Sequence, residues 1–168
     1  MEKGVVIDAN IINRFQEDYV KEGKIFITVD TILHNVGLAI CDIIEHEWRK
    51  HFSHQYMEEW LTDEIKKGRI RYVKPNMNPD AIKKIRTRFG LNNSRDLTYI
   101  KCANSTSTKY ILTEDIDFYD PKKKRTNPTE RKKVMNQRKG VLCKYLKHVH
   151  KITVGMLQHC CDDLGLRC

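Results

Sequence analysis

The sequence predicts an α/β fold in which a parallel sheet is covered by helices on both faces. Short apolar runs rich in β-branched residues alternate with longer stretches whose apolar residues recur at helical spacing. The clearest of these runs end at a polar or acidic residue, as buried parallel strands do where they reach a loop. The 168 residues are enough for one domain with a substantial hydrophobic core.

The predicted strands are short and consist mostly of Val, Ile and Leu. The first stops at Asp8 and the fourth stops at Thr113. Such runs are too short for a helix, and turn residues bound them. The predicted strands lie at residues 4–7, 38–41, 70–73, 110–112 and 152–154.

The predicted helices carry an apolar stripe and are bounded by capping residues. Asp30 and Asp42 are predicted N-caps, Asn-Pro pairs open two later helices, and glycines close several others. The lysine-rich stretch 119–127 is predicted as a loop. The predicted helices lie at 11–20, 31–36, 42–48, 54–67, 78–90, 95–103, about 127–148 and 156–164.

Composition excludes several classes of protein. No apolar run approaches the roughly 20 residues that a membrane helix needs. The N-terminus enters a strand without a secretory signal pattern, so a cytoplasmic protein that makes no membrane contact is expected. The six cysteines are then expected to stay reduced. His and Cys residues near the C-terminus are a weak zinc candidate, because no Cys-x-x-Cys pair is present.

The net charge of +9 is concentrated in one segment. Residues 119–151 hold twelve Lys and Arg residues against two acidic ones, while the rest of the chain is close to neutral. A segment of this kind attracts a polyanion, most commonly nucleic acid. The alternatives are a solvated face or, in a nucleated cell, a localisation signal at 122–125.

Acidic residues follow several of the predicted strands, and the carboxyl ends of parallel strands form the edge where α/β proteins bind ligands. Gathered carboxylates repel one another unless a cation or a shared proton compensates. Mg²⁺ and Mn²⁺ favour such oxygen ligands and activate water for attack on a phosphodiester. Singly, each acid is more typical of a turn, a cap or a solvated helix face, so the prediction depends on their joint order. The acids expected at this edge are Asp8, Glu45 or Glu47, Asp96, Asp115 and Asp117.

Five stretches of the sequence together resemble the PIN-domain nuclease family. VVIDAN at 5–10 resembles the first strand with its leading Asp, and ICDIIEHEW at 40–48 resembles the second strand with its acidic helix. RDLTYIKCA at 95–103 is similar to the helix that opens with an Asp. The most specific match is YILTEDIDF at 110–118, a strand followed by Thr, Asp and a second Asp before Phe. ITVGMLQHC at 152–160 is similar to the closing strand and helix.

The resemblance implies a three-layer α/β/α sandwich that cleaves RNA endonucleolytically with Mg²⁺ or Mn²⁺. By spacing from the strand end, Glu47 matches the family's acidic helix residue better than Glu45. Thr113 corresponds to the family's hydroxyl residue beside the acids, and Asn10 is a further assisting residue. The implied catalytic residues are Asp8, Glu47, Asp96, Asp115 and Asp117, and the four aspartates are the implied metal ligands.

The sequence departs from many relatives in a basic insertion at about 119–148 of what is expected to be a single PIN-like domain spanning 1–168. Because the insertion follows Asp117 directly, it is expected to hold RNA through phosphate neutralisation. The residues expected to contact RNA are Lys122, Lys123, Lys124, Arg125, Arg131, Lys132 and Lys133.

Two other functions stay open at this point: a non-catalytic RNA-binding module of the same fold, and a DNA structure-specific nuclease. The acids favour an enzyme, since a binding module has no reason to keep repelling carboxylates. A homodimer that completes the substrate channel is a further expectation. The sequence does not separate a toxin held by an inhibitory protein partner from a defence effector or a processing enzyme.

Overall fold

A small parallel sheet runs through a mostly helical structure, described by a computed structural model of residues 1–168. One sheet has the strand order β1-β4-β5 and the other pairs β2 with β3, all in parallel. Their bounds are β1 Val6–Ile7, β2 Leu38–Ile40, β3 Ile70–Tyr72, β4 Tyr110–Leu112 and β5 Thr153–Gly155.

The two sheets meet at a single parallel bridge between Val5 and Leu38. The Val5 N–H donates to the Gly37 carbonyl, and the Ala39 N–H donates to the Val5 carbonyl, each at 3.0 Å. Through this bridge the strands follow one another in the order β3-β2-β1-β4-β5. Every residue of β1, β2 and β4 is buried, as continuous apolar runs in a parallel sheet predict.

Nine helices surround the strands, and together they enclose one hydrophobic cluster of 43 buried residues. No helix is both long and apolar enough to cross a membrane. Their bounds are α1 Ala9–Asp18, α2 Lys24–Asn35, α3 Asp42–His51, α4 Gln55–Lys66, α5 Pro79–Phe89, α6 Ser94–Asn104, α7 Pro128–Gln137, α8 Val141–His150 and α9 Leu157–Leu164.

Helix α2 begins at Lys24, so the prediction of a short helix capped by Asp30 is wrong. Its first turn is capped by a residue that lies earlier in the chain, outside the helix. The Asp18 carboxylate accepts hydrogen bonds from the backbone N–H groups of Ile25 at 2.8 Å and Phe26 at 3.1 Å. These bonds satisfy donors that no residue within the helix can reach.

The basic segment forms two helices where one was predicted from about 127 to 148. Helix α7 ends at Arg138, which is left-handed at φ 50°, and α8 starts after Gly140. A side chain at Gly140 would place its Cβ 2.1 Å from the Tyr119 carbonyl oxygen. That oxygen accepts the N–H groups of Leu142 and Cys143 at the start of α8. The stretch predicted as a loop contains a 3₁₀ turn at Pro121–Lys123.

The expectation that every cysteine is reduced is wrong for one pair. Cys161, on α9, forms a disulfide with Cys168, and their Cα atoms are 6.1 Å apart. The other four cysteines are free and buried. The bond ties the end of the chain back to α9.

Trp48 fixes the sheet edge that carries the first acidic residue. It is fully buried on α3, and its indole N–H donates to the Ile7 carbonyl at 3.0 Å. A buried indole N–H needs such a partner. The bond holds α3 against the carboxyl end of β1, one residue before Asp8.

Candidate active site

A pocket of about 160 Å³ lies at the carboxyl ends of β1 and β4. Four acidic residues line it, and each reaches it from a different element. Asp8 follows β1, Asp115 follows β4, Glu47 comes from α3 and Asp96 from α6. The structure therefore places these four predicted residues around one cavity.

The Asp8 carboxylate lines the pocket, although Asp8 occupies the N-cap position of α1. Its side chain makes no capping hydrogen bond. Instead, Oδ2 accepts a 2.8 Å hydrogen bond from the Thr113 hydroxyl. Asp8 is 8% exposed, so its charge has little access to bulk water.

Thr113 links two of the acids. It is fully buried, and its hydroxyl donates to Asp8 while accepting the backbone N–H of Asp115 at 3.0 Å. The Tyr119 hydroxyl donates to the Thr113 carbonyl at 2.8 Å. One side chain thus sets the position of Asp8 relative to Asp115, which neither strand alone determines.

Asp117 lies beside the pocket rather than in its lining. Its backbone N–H donates to Asp115 Oδ1 at 2.9 Å, so Asp115 caps the 3₁₀ turn at Ile116–Phe118. Its own carboxylate is 3.4 Å from the Lys124 ammonium. Lys124 is the member of the basic segment that contacts the acidic cluster.

Asp96 enters the pocket from the first turn of α6. The Asn93 side chain caps this helix by accepting the N–H groups of Arg95 and Asp96. The positive end of the helix dipole is therefore directed to the same place as the Asp96 carboxylate.

The three aspartates that line the pocket, Asp8, Asp96 and Asp115, resist ionisation. Burial, together with the charges of Asp115, Asp117 and Asp8, raises the pKa of Asp96 to about 7. Burial also raises the pKa of Asp8, against the lowering effect of the Thr113 hydrogen bond, and raises that of Asp115. Several neighbouring carboxyls with raised pKa values form a site that a bound cation would stabilise.

Glu47 and Glu45 are the two candidates for the acidic residue on α3, and the structure gives them different surroundings. Glu47 lines the pocket, where Lys50 and Arg95 each donate to its Oε1 at 3.2 Å. Although burial opposes ionisation, these hydrogen bonds hold the pKa of Glu47 below its usual range. Glu45 lies outside the pocket lining, where it accepts hydrogen bonds from Arg49 and Tyr72.

Tyr99 is a pocket residue that sequence reasoning missed. It is 3% exposed, and its hydroxyl is the one buried side-chain polar atom without a hydrogen-bond partner. Burial raises its pKa, and the charges of Asp8, Glu47 and Asp96 add to that effect. An orphan hydroxyl this close to three acids is a donor positioned for a bound ligand. An aromatic residue on an apolar helix gives no such signal in sequence.

The basic segment is divided among several environments. Lys122, Lys123 and Arg125 are exposed beside the 3₁₀ turn. Arg131 holds the loop together by donating to the carbonyls of Thr126 and Lys124. The predicted RNA-contacting residues Lys132 and Lys133 are exposed on α7.

Most of the possible ligands that line the pocket are oxygen atoms, from four carboxyl groups and the side-chain amides of Asn10 and Asn93, with His51 and Arg95 beside them. Hard divalent cations choose oxygen ligands. No group of three or more His, Cys, Asp or Glu side chains is close enough to hold a metal ion directly. Mg²⁺ usually keeps several waters and is bound through one or two carboxylates. The residues present therefore fit a hydrated divalent ion held partly through water.

No family model, curated protein or solved structure matches this chain.

Proposed function

We propose that this protein is a PIN-like, Mg²⁺- or Mn²⁺-dependent endoribonuclease whose active site is the acidic pocket. The single observation that carries the proposal is the convergence of Asp8, Asp96 and Asp115 on one cavity, with pKa values raised by burial. A structural role does not explain why a fold keeps these mutually repelling groups together. A bound divalent cation would explain it, because its charge offsets their repulsion.

The proposed fold is a three-layer α/β/α sandwich around one five-stranded sheet. The Val5–Leu38 bridge supports this, because it joins the two sheets into a continuous parallel order. In this arrangement the strands before Asp8, Thr113 and the helix of Glu47 are neighbours, and their carboxyl ends form a single edge.

When bound, the divalent ion would supply an activated water and would stabilise charge developing on the phosphate. Asp8, Asp96 and Asp115 would hold it partly through its bound water molecules, with Asp117 next to them. Thr113 fixes the geometry between Asp8 and Asp115 through its two hydrogen bonds. Glu47 is held in its ionised form by Lys50 and Arg95, so it adds a negative charge at the rim of the proposed metal site.

The positive charges around the pocket support a nucleic acid as the substrate. The Lys124 ammonium lies 3.4 Å from the Asp117 carboxylate. Other lysines between residues 122 and 133 are exposed to solvent. A single-stranded RNA is favoured because a pocket of about 160 Å³ accepts one unpaired, flexible strand more readily than a rigid duplex. The cations would neutralise phosphates on either side of the scissile bond.

The test of this function is cleavage of end-labelled single-stranded RNA by the purified chain. We expect cleavage with Mn²⁺ or Mg²⁺, none in EDTA, and recovery when the metal is restored. Internal products would identify an endonuclease. RNA that is bound but stays intact would instead indicate a non-catalytic RNA-binding module. Preferential cutting of branched DNA would indicate a structure-specific DNA nuclease.

Tyr99→Phe is expected to lower the turnover number about tenfold while leaving the melting temperature unchanged or slightly raised. The hydroxyl has no hydrogen-bond partner at normal geometry, although the nearby Ala9 N–H acts on its pKa, so its removal costs little intramolecular contact. It would, however, remove a donor to the bound phosphate or to a metal-bound water. Steady-state kinetics and thermal unfolding would measure the two effects.

Tyr110→Phe is the matched control. The Tyr110 hydroxyl is buried but donates to Asp163 Oδ2 at 2.6 Å, away from the pocket. Its loss should destabilise the fold by about 1.5–3 kcal/mol with little change in turnover. A Tyr99→Phe variant that is destabilised yet fully active would reverse the assignment.

A further inference from the structure

A pocket of about 540 Å³ lies between α5 and α6, outside the acidic pocket. Three cationic side chains line it. Lys83 and Arg86 come from α5, and Lys101 comes from α6. No acidic residue contributes to the lining.

These three cations have no partners within the protein. The ion pairs of the chain use other basic residues, among them Arg49, Arg69 and Arg138. Lys83 and Arg86 lie one helical turn apart, so they face the same side of α5. Like charges directed at one concave surface raise its potential and favour an anionic ligand.

The remaining lining suits more than an inorganic anion. Met77 is 7% exposed and Ile82 is half-buried, so together they supply an apolar surface at the base of the cavity. The exposed Asn92 side chain offers a hydrogen-bond donor and an acceptor to a base edge. Small-molecule sites span about 300–1,000 Å³, a range that includes a cavity of this size.

The residues that line this cavity and those that line the acidic pocket are neighbours in sequence at the α5–α6 connection. Asn92 lines the cavity and the next residue, Asn93, lines the acidic pocket. Helix α6 contributes Lys101 to the cavity, and it contributes Asp96 and Tyr99 to the acidic pocket. An RNA strand that leaves the acidic pocket over Asn93 would reach this cavity at Asn92.

We propose that this cavity binds one nucleotide unit of a single-stranded RNA next to the bond that is cut. Lys83, Arg86 and Lys101 contact its phosphate, and its base packs on Met77 and Ile82. The inference rests on the proposed function and adds to it where the substrate is held. It places a recognition surface on α5 and α6, in addition to the basic segment at 119–148.

The test is RNA binding by the full chain in EDTA, where cleavage is absent. The probe is a fluorescent oligouridine of about 12 nucleotides, within the roughly 4–16 nucleotides that single-strand sites cover. The pocket variant is Lys83→Gln with Arg86→Gln. The matched control is Lys84→Gln with Arg88→Gln, which removes the same charge from the same helix. Lys84 and Arg88 lie over the rings of Tyr145 and Phe89, and neither lines the cavity.

The pocket variant is expected to raise Kd about tenfold or more and to reduce the slope of log Kd against log salt by about 1.4, since each lost phosphate contact contributes about 0.7. The control should change Kd by less than about threefold. An equal loss of RNA affinity in the two variants would overturn the proposal, because the binding would then depend on the net charge of the protein and not on this cavity. Circular dichroism and thermal unfolding of both variants check that they fold.

A competition with uridine 5′-monophosphate distinguishes a strand from a free nucleotide. Failure of the mononucleotide to displace the probe at about millimolar concentration, where weak ligands bind, supports an RNA strand. Displacement from the wild type but not from the pocket variant would instead assign the cavity to free nucleotides. Because binding is measured without metal, a chain that binds here but never cleaves would overturn the nuclease assignment alone.

Discussion

Asp115→Asn is expected to lower the rate of RNA cleavage on the order of a thousandfold, about 4 kcal/mol of lost transition-state stabilisation. Asp115 lies at the centre of the acidic group, since its charge acts on both Asp8 and Asp96. The amide keeps an oxygen that accepts the Asp117 N–H. The fold is therefore preserved while the negative charge needed for a divalent ion is removed.

Glu114→Gln is the control for this variant. Glu114 is the adjacent residue, but its carboxylate pairs with Arg14 at 3.0 Å and accepts the Leu157 N–H, outside the acidic pocket. We expect wild-type cleavage from this protein. Cleavage by purified Asp115→Asn at the wild-type rate would contradict the assignment of the pocket. Rates should be compared at saturating Mn²⁺ with single-turnover kinetics.

Asp96→Asn is expected to stabilise the metal-free protein at pH 8 by about 2 kcal/mol, after allowance for solvent screening of a partly exposed group. The folded pKa of Asp96, about 7, is above its ordinary value of 3.8. Its contribution to stability is therefore fully present below pH 3.8 and is lost as the pH rises through 7. Asparagine never ionises, so the variant avoids this loss.

Urea unfolding in EDTA at several pH values would measure the effect. The difference between variant and wild type should be near zero at about pH 4 and should grow to its full size by about pH 8. Added Mn²⁺ should stabilise the wild type and not the variant. The control is Asp80→Asn, because Asp80 is exposed in the first turn of α5 behind the cap residue Asn78. An equal gain in both variants would show that the effect is not specific to the pocket.

The strands were predictable because their residues are apolar and β-branched over three or four positions. Helix α2 was not, because its start depends on Asp18, which comes before the helix and reaches it only after the chain turns. The break between α7 and α8 depends on the close approach of Gly140 to the Tyr119 carbonyl. Both are tertiary contacts, and no local periodicity records them.

In the candidate site, too, some residues could be predicted from local sequence and others depend on tertiary contacts. Asp8 and Asp115 follow strand ends, so a parallel sheet brings them to one edge. Tyr99 could not be identified, because the partner that its hydroxyl lacks is a property of the packed structure. The basic cavity was hidden because Lys83 and Lys101 lie on different helices, in a stretch whose charge looked unremarkable beside residues 119–151.

The acidic pocket is assembled across the junction that the Val5–Leu38 bridge makes between the two sheets. Asp8 and Asp115 follow strands on one side of this junction, while Glu47 lies on the helix that follows β2 on the other side. The Trp48 hydrogen bond to the Ile7 carbonyl crosses the same junction. It ties the helix that carries Glu47 to the strand that precedes Asp8, so the two sides of the pocket share a contact buried in the core.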